Sequence, residues 1–309
     1  MKNLTSKNNL LKILIAVLVS IFALYYLIIF FNWKEIIQSL QKANIFLFFI
    51  GSFSSLFLYF FFRGLRWYLL LQCEKLAVSF IALYLFNTIA TGFSTITPFQ
   101  SGEALKVEYL KKYGANRFSG YGIFILERFL DLLVVVGLGI VGISLNFNWN
   151  ILQNYLYIFA GVLFVIALLV VSGVFLLPFQ QLQPLRDWLR VQWESKYSIL
   201  LAFILTLLSW LAVSFGWYIS LKSVSVDISI LQSIVIVSLT TLLSIISFVP
   251  GAVGVSELSI STILIKMGIS NSLAQTGAIA IRLYALVILV MTFFHWIILR
   301  LTSKKLLKE

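Results

Sequence analysis

Two short stretches carry polar chemistry into apolar sequence, and they share a plan. The first is Thr97-Pro98-Phe99-Gln100-Ser101-Gly102-Glu103. The second is Pro250-Gly251-Ala252-Val253-Gly254-Val255-Ser256-Glu257. Each follows an apolar run, breaks it with Pro and Gly, and ends on a glutamate. Each glutamate has an arginine 25 residues downstream inside another apolar run, Glu103 with Arg128 and Glu257 with Arg282. Proline removes a backbone donor and glycine lets the chain turn. A helix restarting at about Glu103 or Ser256 therefore offers free N–H groups and the positive end of its dipole to an anion. Thr97, Ser101 and Ser256 add hydroxyls, and each arginine adds a planar fork suited to phosphate or carboxylate oxygens. Glu103 and Glu257 read two ways, as proton carriers or as plain partners of the helix dipole and the arginines.

Further charges lie at membrane depth. Glu127, Arg128 and Asp131 fall within about one helical turn, where Glu127 and Asp131 share a face and Arg128 can pair with Asp131. The cluster is either self-neutralising or part of the substrate site. Arg282 has no acidic residue in its own apolar run, so its partner is Glu257 by the logic of the repeat, or a ligand. Arg63, Arg66 and Trp67 close an apolar run and, with Lys106, read as an interfacial anchor for anionic lipid headgroups. His295, beside Trp296, reads as interfacial too.

These residues need elements to hold them, and composition says what kind. The chain of 309 residues is 61% hydrophobic, with a mean hydropathy of +1.02 and 11% charged residues, against roughly 25% charged in soluble proteins. An all-α, polytopic helical membrane protein is expected, with a single integral domain over residues 1–309. Spans fall at about 13–31, 45–62, 118–144, 155–177, 198–221 and 272–298. The first follows Lys2, Lys7 and Lys12 but is long for a signal peptide and lacks a small-residue cleavage site, so it reads as an uncleaved span. One cysteine, Cys73, and one histidine leave too few ligands for a transition-metal site. No metal or cofactor is expected, and the net charge of +12 points to membrane sidedness rather than to nucleic acid.

Segments 76–96 and 229–249 run into the two breaks. If both dip in and return as re-entrant hairpins, the cations outside the cell are only Lys34, Lys42, Lys222 and Lys266, while the remaining loop and terminal cations lie inside. That asymmetry favours the hairpins and puts both termini in the cytoplasm. Each half then reads span, span, hairpin, span, with repeat 1 at about 10–145 and repeat 2 at about 155–300. Three crossings per half make the second half inverted, the plan of many secondary transporters, whose paired broken helices hold the substrate. Trp33 to Lys42 and Gln180 to Lys196 occupy matching places and read as interfacial helices.

The chain resembles the transmembrane region of lysylphosphatidylglycerol synthases and related stand-alone flippase-like membrane proteins. The pieces that carry the resemblance are Arg63-Gly64-Leu65-Arg66-Trp67, Thr97-Pro98 with Gly102-Glu103 and Lys106, Glu127-Arg128 with Asp131, and Pro250-Gly251 with Gly254 and Glu257. The soluble aminoacyltransferase domain of the full synthases is not expected here, so aminoacyl transfer is not carried over. The resemblance implies movement of a lipid between leaflets of the cytoplasmic membrane, the substrate being a phospholipid, glycolipid or polyprenyl-phosphate-linked sugar. A lipid-modifying enzyme or glycosyltransferase is the partner it suggests. Two other readings stand beside it. One is a membrane enzyme acting on a lipid phosphate, with Glu127 and Asp131 holding Mg²⁺. The other is a carrier of small solutes or ions on the same architecture.

Overall fold

The computed structural model describes residues 25–72, 78–114, 117–146, 196–247 and 249–306, with scattered positions within 18–22 and 154–186. Among them there are helices and no strands, and the chain is an all-α polytopic membrane protein. In order, the helices are α1 (Trp33–Gln41), α2 (Ile45–Gln72), α3 (Phe80–Ile96), a 3-10 helix (Pro98–Ala104), α4 (Leu105–Lys111), α5 (Arg117–Asn146), α6 (Lys196–Ser223), α7 (Ile230–Ile246), a 3-10 turn (Pro250–Ala252), α8 (Val255–Lys266) and α9 (Asn271–Leu306). Three stretches, Ile45–Gln72, Tyr197–Ser223 and Asn271–Thr302, are long and apolar enough to cross a membrane. The expected spans at 45–62, 118–144, 198–221 and 272–298 all fall on helices, whereas most of 13–31 and 155–177 lies outside the described residues.

The two segments that run into the breaks form helices of equal length. Helices α3 and α7 have 17 residues each. At 1.5 Å per residue that is about 26 Å, short of the ~30 Å hydrocarbon layer. Both start on a serine cap. Ser79 Oγ accepts from Ala82 N at 3.3 Å, and Ser229 forms a capping box with Gln232, whose Oε1 accepts from Ser229 N at 2.7 Å. Helix α3 ends at Ile96, two residues before Pro98, and α7 at Ile246, four residues before Pro250.

Packing crosses between the N-terminal and C-terminal helices. Among the described residues, helices α2 and α6 share the most extensive interface. Helix α3 packs on α9, and α7 on α5. The first break touches α7, the second break touches α3, and the two breaks touch each other. Small polar side chains line the α2–α6 seam: Ser52 and Ser220 place their hydroxyls 3.5 Å apart, and Ser55 lies 3.1 Å from the Tyr284 hydroxyl on α9. Such residues let helix backbones approach where lipid supplies no hydrophobic drive. Helix α1 is docked at the far edge, with Asn32 N donating to Gln275 Oε1 at 2.9 Å.

The first break is closed by its own residues. Thr97 Oγ1 donates to Phe93 O at 3.1 Å and accepts from Gly102 N at 2.8 Å. Gly102 is packed against the end of α3 so closely that an added Cβ would stand 2.5 Å from the carbonyl carbon of Phe93 and 2.6 Å from Ser94 N. Because those atoms are backbone, the turn itself has to move to admit a methyl group. Gly102→Ala is therefore expected to destabilise the protein by about 1–3 kcal/mol. Gly137→Ala in α5, where nothing lies within 4 Å of the new atom, is the control, expected to leave stability unchanged or raised by up to about 1 kcal/mol. Thermal unfolding of the detergent-purified variants checks this, and equal melting temperatures would refute it.

Candidate functional site

Helix α2, the first break, α4 and α5 bring seven charged groups together in a buried network, against which α6 packs. Asp131 is its hub. Arg66 Nη1 lies 2.8 Å from Asp131 Oδ1, while Arg128 Nη2 and Arg63 Nη1 lie 2.6 and 3.2 Å from Oδ2. Trp210 Nε1 on α6 donates to Oδ1 at 3.2 Å. Glu103 holds Arg128 at 2.6 Å, Arg63 at 2.7 Å and Lys106 at 3.5 Å. Glu127 holds Arg66 at 3.0 Å and Lys106 at 3.2 Å. Arg66 also donates to Thr206 Oγ1 at 2.9 Å, and Thr206 passes a hydrogen bond to Ala202 O at 2.7 Å. Two aromatic faces complete the shell, with the Arg63 guanidinium 5.2 Å above Tyr59 and the Lys106 ammonium 5.2 Å above Trp67.

This placement differs from the sequence expectation for four residues. Arg63, Arg66, Trp67 and Lys106, read as an interfacial anchor, are each no more than 1% exposed. The run ending near residue 62 continues as helix to Gln72, which carries both arginines past the end of the apolar stretch and turns them inward. Three cations counted as loop charges in the sidedness argument are thus interior. Glu127, Arg128 and Asp131 neutralise themselves only in part, since Arg63, Arg66 and Lys106 from other elements also share the carboxylates. The carboxylates read as candidate Mg²⁺ ligands are held by these cations. Among the described residues no group of three or more His, Cys, Asp or Glu is placed to bind a metal ion. His295, read as interfacial, is half-buried with Nε2 3.1 Å from the Tyr84 hydroxyl, tying α9 to α3.

The second break is built differently. Gly251 and Gly254 take positive φ angles of 62° and 84°, where a side chain would be strained. The chain turns there and restarts as α8. Glu257 caps that restart: its Oε2 accepts from Gly254 N and from Ser256 Oγ, both at 2.8 Å. Its Oε1 lies 3.1 Å from Arg282 Nε, and Arg282 Nη1 donates to Gly251 O at 2.9 Å. Both glutamates are therefore paired with the arginine 25 residues on. The N–H groups at the start of α8 are not simply free for a ligand, because Glu257 takes that of Gly254.

A cavity of about 210 Å³ lies between the halves. Thr97 from the first break and Gly251, Ser256 and Arg282 from the second line it, with hydroxyls of α3 and α7 around them. Tyr59 and Trp210 also line it, and these are the residues that touch Arg63 and Asp131, so two rings separate the cavity from the ion network. Glu103, Glu127, Arg128, Asp131, Gly102, Gly254 and Pro250 are not in its wall, and Ser101 is exposed. Thr206, Trp210, Tyr59 and the hydroxyl lining escaped the sequence reading. The available signal was Thr206 and Trp210 four apart, hence on one face of an otherwise apolar span.

Removing one partner of a buried ionic group leaves the others uncompensated. Asp131→Asn is expected to cost about 3–5 kcal/mol, lowering folded yield and melting temperature. Glu257→Gln, at a partly exposed pair that keeps an amide oxygen for the cap, is expected to cost less. Thermal unfolding of the two variants side by side checks the order, and the reverse order would refute it.

Comparison with protein families matches the model described as the transmembrane (TM) region of lysylphosphatidylglycerol synthase to residues 13–292. Comparison with curated proteins gives no match.

Proposed function

The chain belongs to the lysylphosphatidylglycerol synthase transmembrane-region family, and on that premise we propose that it is a lipid transporter that moves a phosphate-containing lipid or lipid-linked sugar between leaflets. The observation that carries this reading is the cavity between the halves, into which Arg282 reaches from the second break. A headgroup would cross there while its acyl or prenyl chains stay in the bilayer. Helices α3 and α7, each short of a full crossing and each ending at a break, act as re-entrant arms of an inverted repeat. Broken backbone at that depth requires a protein or water cavity, and such breaks mark the substrate site in inverted-repeat carriers.

The two halves have separate roles in this reading. The network around Asp131 and Glu103 holds the first break rigid. Arg282 receives the phosphate, because its guanidinium is about a third exposed while its partner Glu257 is buried. The protein works in the cytoplasmic membrane with both termini in the cytoplasm, and a gradient, a partner enzyme or downhill flow supplies the drive.

Arg282→Ala and Glu257→Gln are each expected to abolish translocation of labelled lipid in proteoliposomes while leaving a folded protein. Arg282→Lys, which keeps the charge without the planar fork, should fall between wild type and alanine. Wild-type rates in the alanine and glutamine variants would remove the site from the reading. No movement of any phospholipid or polyprenyl-phosphate sugar, with or without a pH gradient, would sink lipid transport itself.

A further inference from the structure

The interior holds polar atoms that neither the ion network nor the cavity wall accounts for, and they gather between α2 and α3. Tyr59 of α2 and Thr91 of α3 both line the central cavity. Contacts of Tyr68 with Phe80 and of Gly64 with Tyr84 show that α3 runs back along α2. One helical turn beyond the cavity, α2 therefore carries Arg63 and α3 carries Asn87. The helices are close at this level. An added Cβ on Gly64, the neighbour of Arg63, would stand 3.3 Å from Tyr84 Cα, and Asn87 follows Tyr84 by three residues.

Asn87 is fully enclosed, yet neither end of its amide has a hydrogen-bond partner among the described residues. Arg63, also enclosed, gives Nη1 to Asp131 and Nη2 to Glu103, and its Nε is left without a partner. Thr91 Oγ1, at the cavity wall, is buried and unpartnered too. Buried polar groups without partners are rare and costly, and each calls for an occupant.

The chemistry selects that occupant. An anion could take the N–H and O–H donors, but it would leave the Asn87 carbonyl oxygen unmet and would stand beside Glu103 and Asp131. A cation would face the Arg63 guanidinium. Water both donates and accepts, and an internal water typically has about two to four polar partners. Arg63 Nε, the two ends of the Asn87 amide and Thr91 Oγ1 supply that number.

We propose that water occupies a polar passage between α2 and α3, where Asn87 holds it as a bridge from Arg63 Nε to Thr91 at the cavity wall. Asn87 is then a positioning residue that acts on Arg63 through water. The bridge joins the cavity to the first break by a route that skirts the rings of Tyr59 and Trp210. Arg63 lies 2.7 Å from Glu103, so whatever displaces water at Thr91 is felt at the first break through one guanidinium. The inference goes beyond the carrier reading and does not depend on what the cavity receives.

The test uses the full chain in detergent and two substitutions of equal shape, Asn87→Thr and Asn87→Val. A hydrated site favours the hydroxyl, so Asn87→Thr is expected to melt about 2–6 °C above Asn87→Val. A dry site favours the methyl group and gives the reverse order. The second readout is the Arg63 Nε–H resonance in arginine-labelled protein, assigned by its loss in Arg63→Lys. In the wild type it is expected to show magnetisation transfer with water, and Asn87→Val is expected to remove it. Asn87→Val melting at or above Asn87→Thr, no transfer in the wild type, or transfer unchanged in Asn87→Val would each overturn the bridge. Neither readout involves lipid movement, so a failure of lipid transport would bear on the carrier reading alone.

Discussion

The arrangement depends on keeping ionised groups stable inside an apolar molecule. Arg63, Arg66, Lys106 and Arg128 share Glu103, Glu127 and Asp131. Each such group alone would be expensive at membrane depth, and even a pair recovers its desolvation cost only when geometry and extra hydrogen bonds are good. Sharing moves toward that condition: every carboxylate has at least two cations, Trp210 donates to Asp131 and Thr206 accepts from Arg66. Because the members come from α2, the first break, α4, α5 and α6, the charges fix the relative placement of elements that apolar contacts alone would leave free to slide.

The two breaks thus solve one problem in different ways. Both follow a 17-residue helix with a proline and hold a glutamate against an arginine 25 residues later. In the first, the pair is absorbed into the network and Glu103 is fully enclosed. In the second, the pair stands at the edge of the cavity, and the glutamate also closes the helix start. Reciprocal packing of α3 on α9 and α7 on α5 keeps the breaks in contact across the molecular centre. The first break is enclosed by the ion network, while Arg282 at the second break stands in the cavity wall.

Much of this was legible in the sequence, and what was not has a physical cause. The Pro-Gly breaks and the Glu–Arg spacing are local signals, and helix ends and ion pairs appear where they predict. The fate of Arg63 and Arg66 was hidden. Basic residues with Trp67 and Tyr68 at the end of an apolar run have the composition of an interfacial anchor, and only partners 40 to 140 residues away distinguish a buried arginine from a snorkelling one. Helical periodicity carries no information over that distance. The same holds for Trp210, whose partner Asp131 is 79 residues off. The cavity lining needed both halves placed against each other, which no motif encodes.

The energetic asymmetry of the two arginine pairs decides which can exchange partners. Detaching Arg128 would disturb two buried carboxylates that also balance Arg63, Arg66 and Lys106. Detaching Arg282 from Glu257 disturbs one. Glu257 would keep two charge-assisted hydrogen bonds, from Gly254 N and Ser256 Oγ, so its charge is not orphaned when the guanidinium turns away. A phosphate would offer Arg282 an equivalent oxygen pair, and the swap would replace one ionic contact with another at a side chain that is about a third exposed. In the proposed transport cycle, an interaction that forms and dissolves belongs where both states are compensated, and of these two pairs the one at the second break meets that requirement.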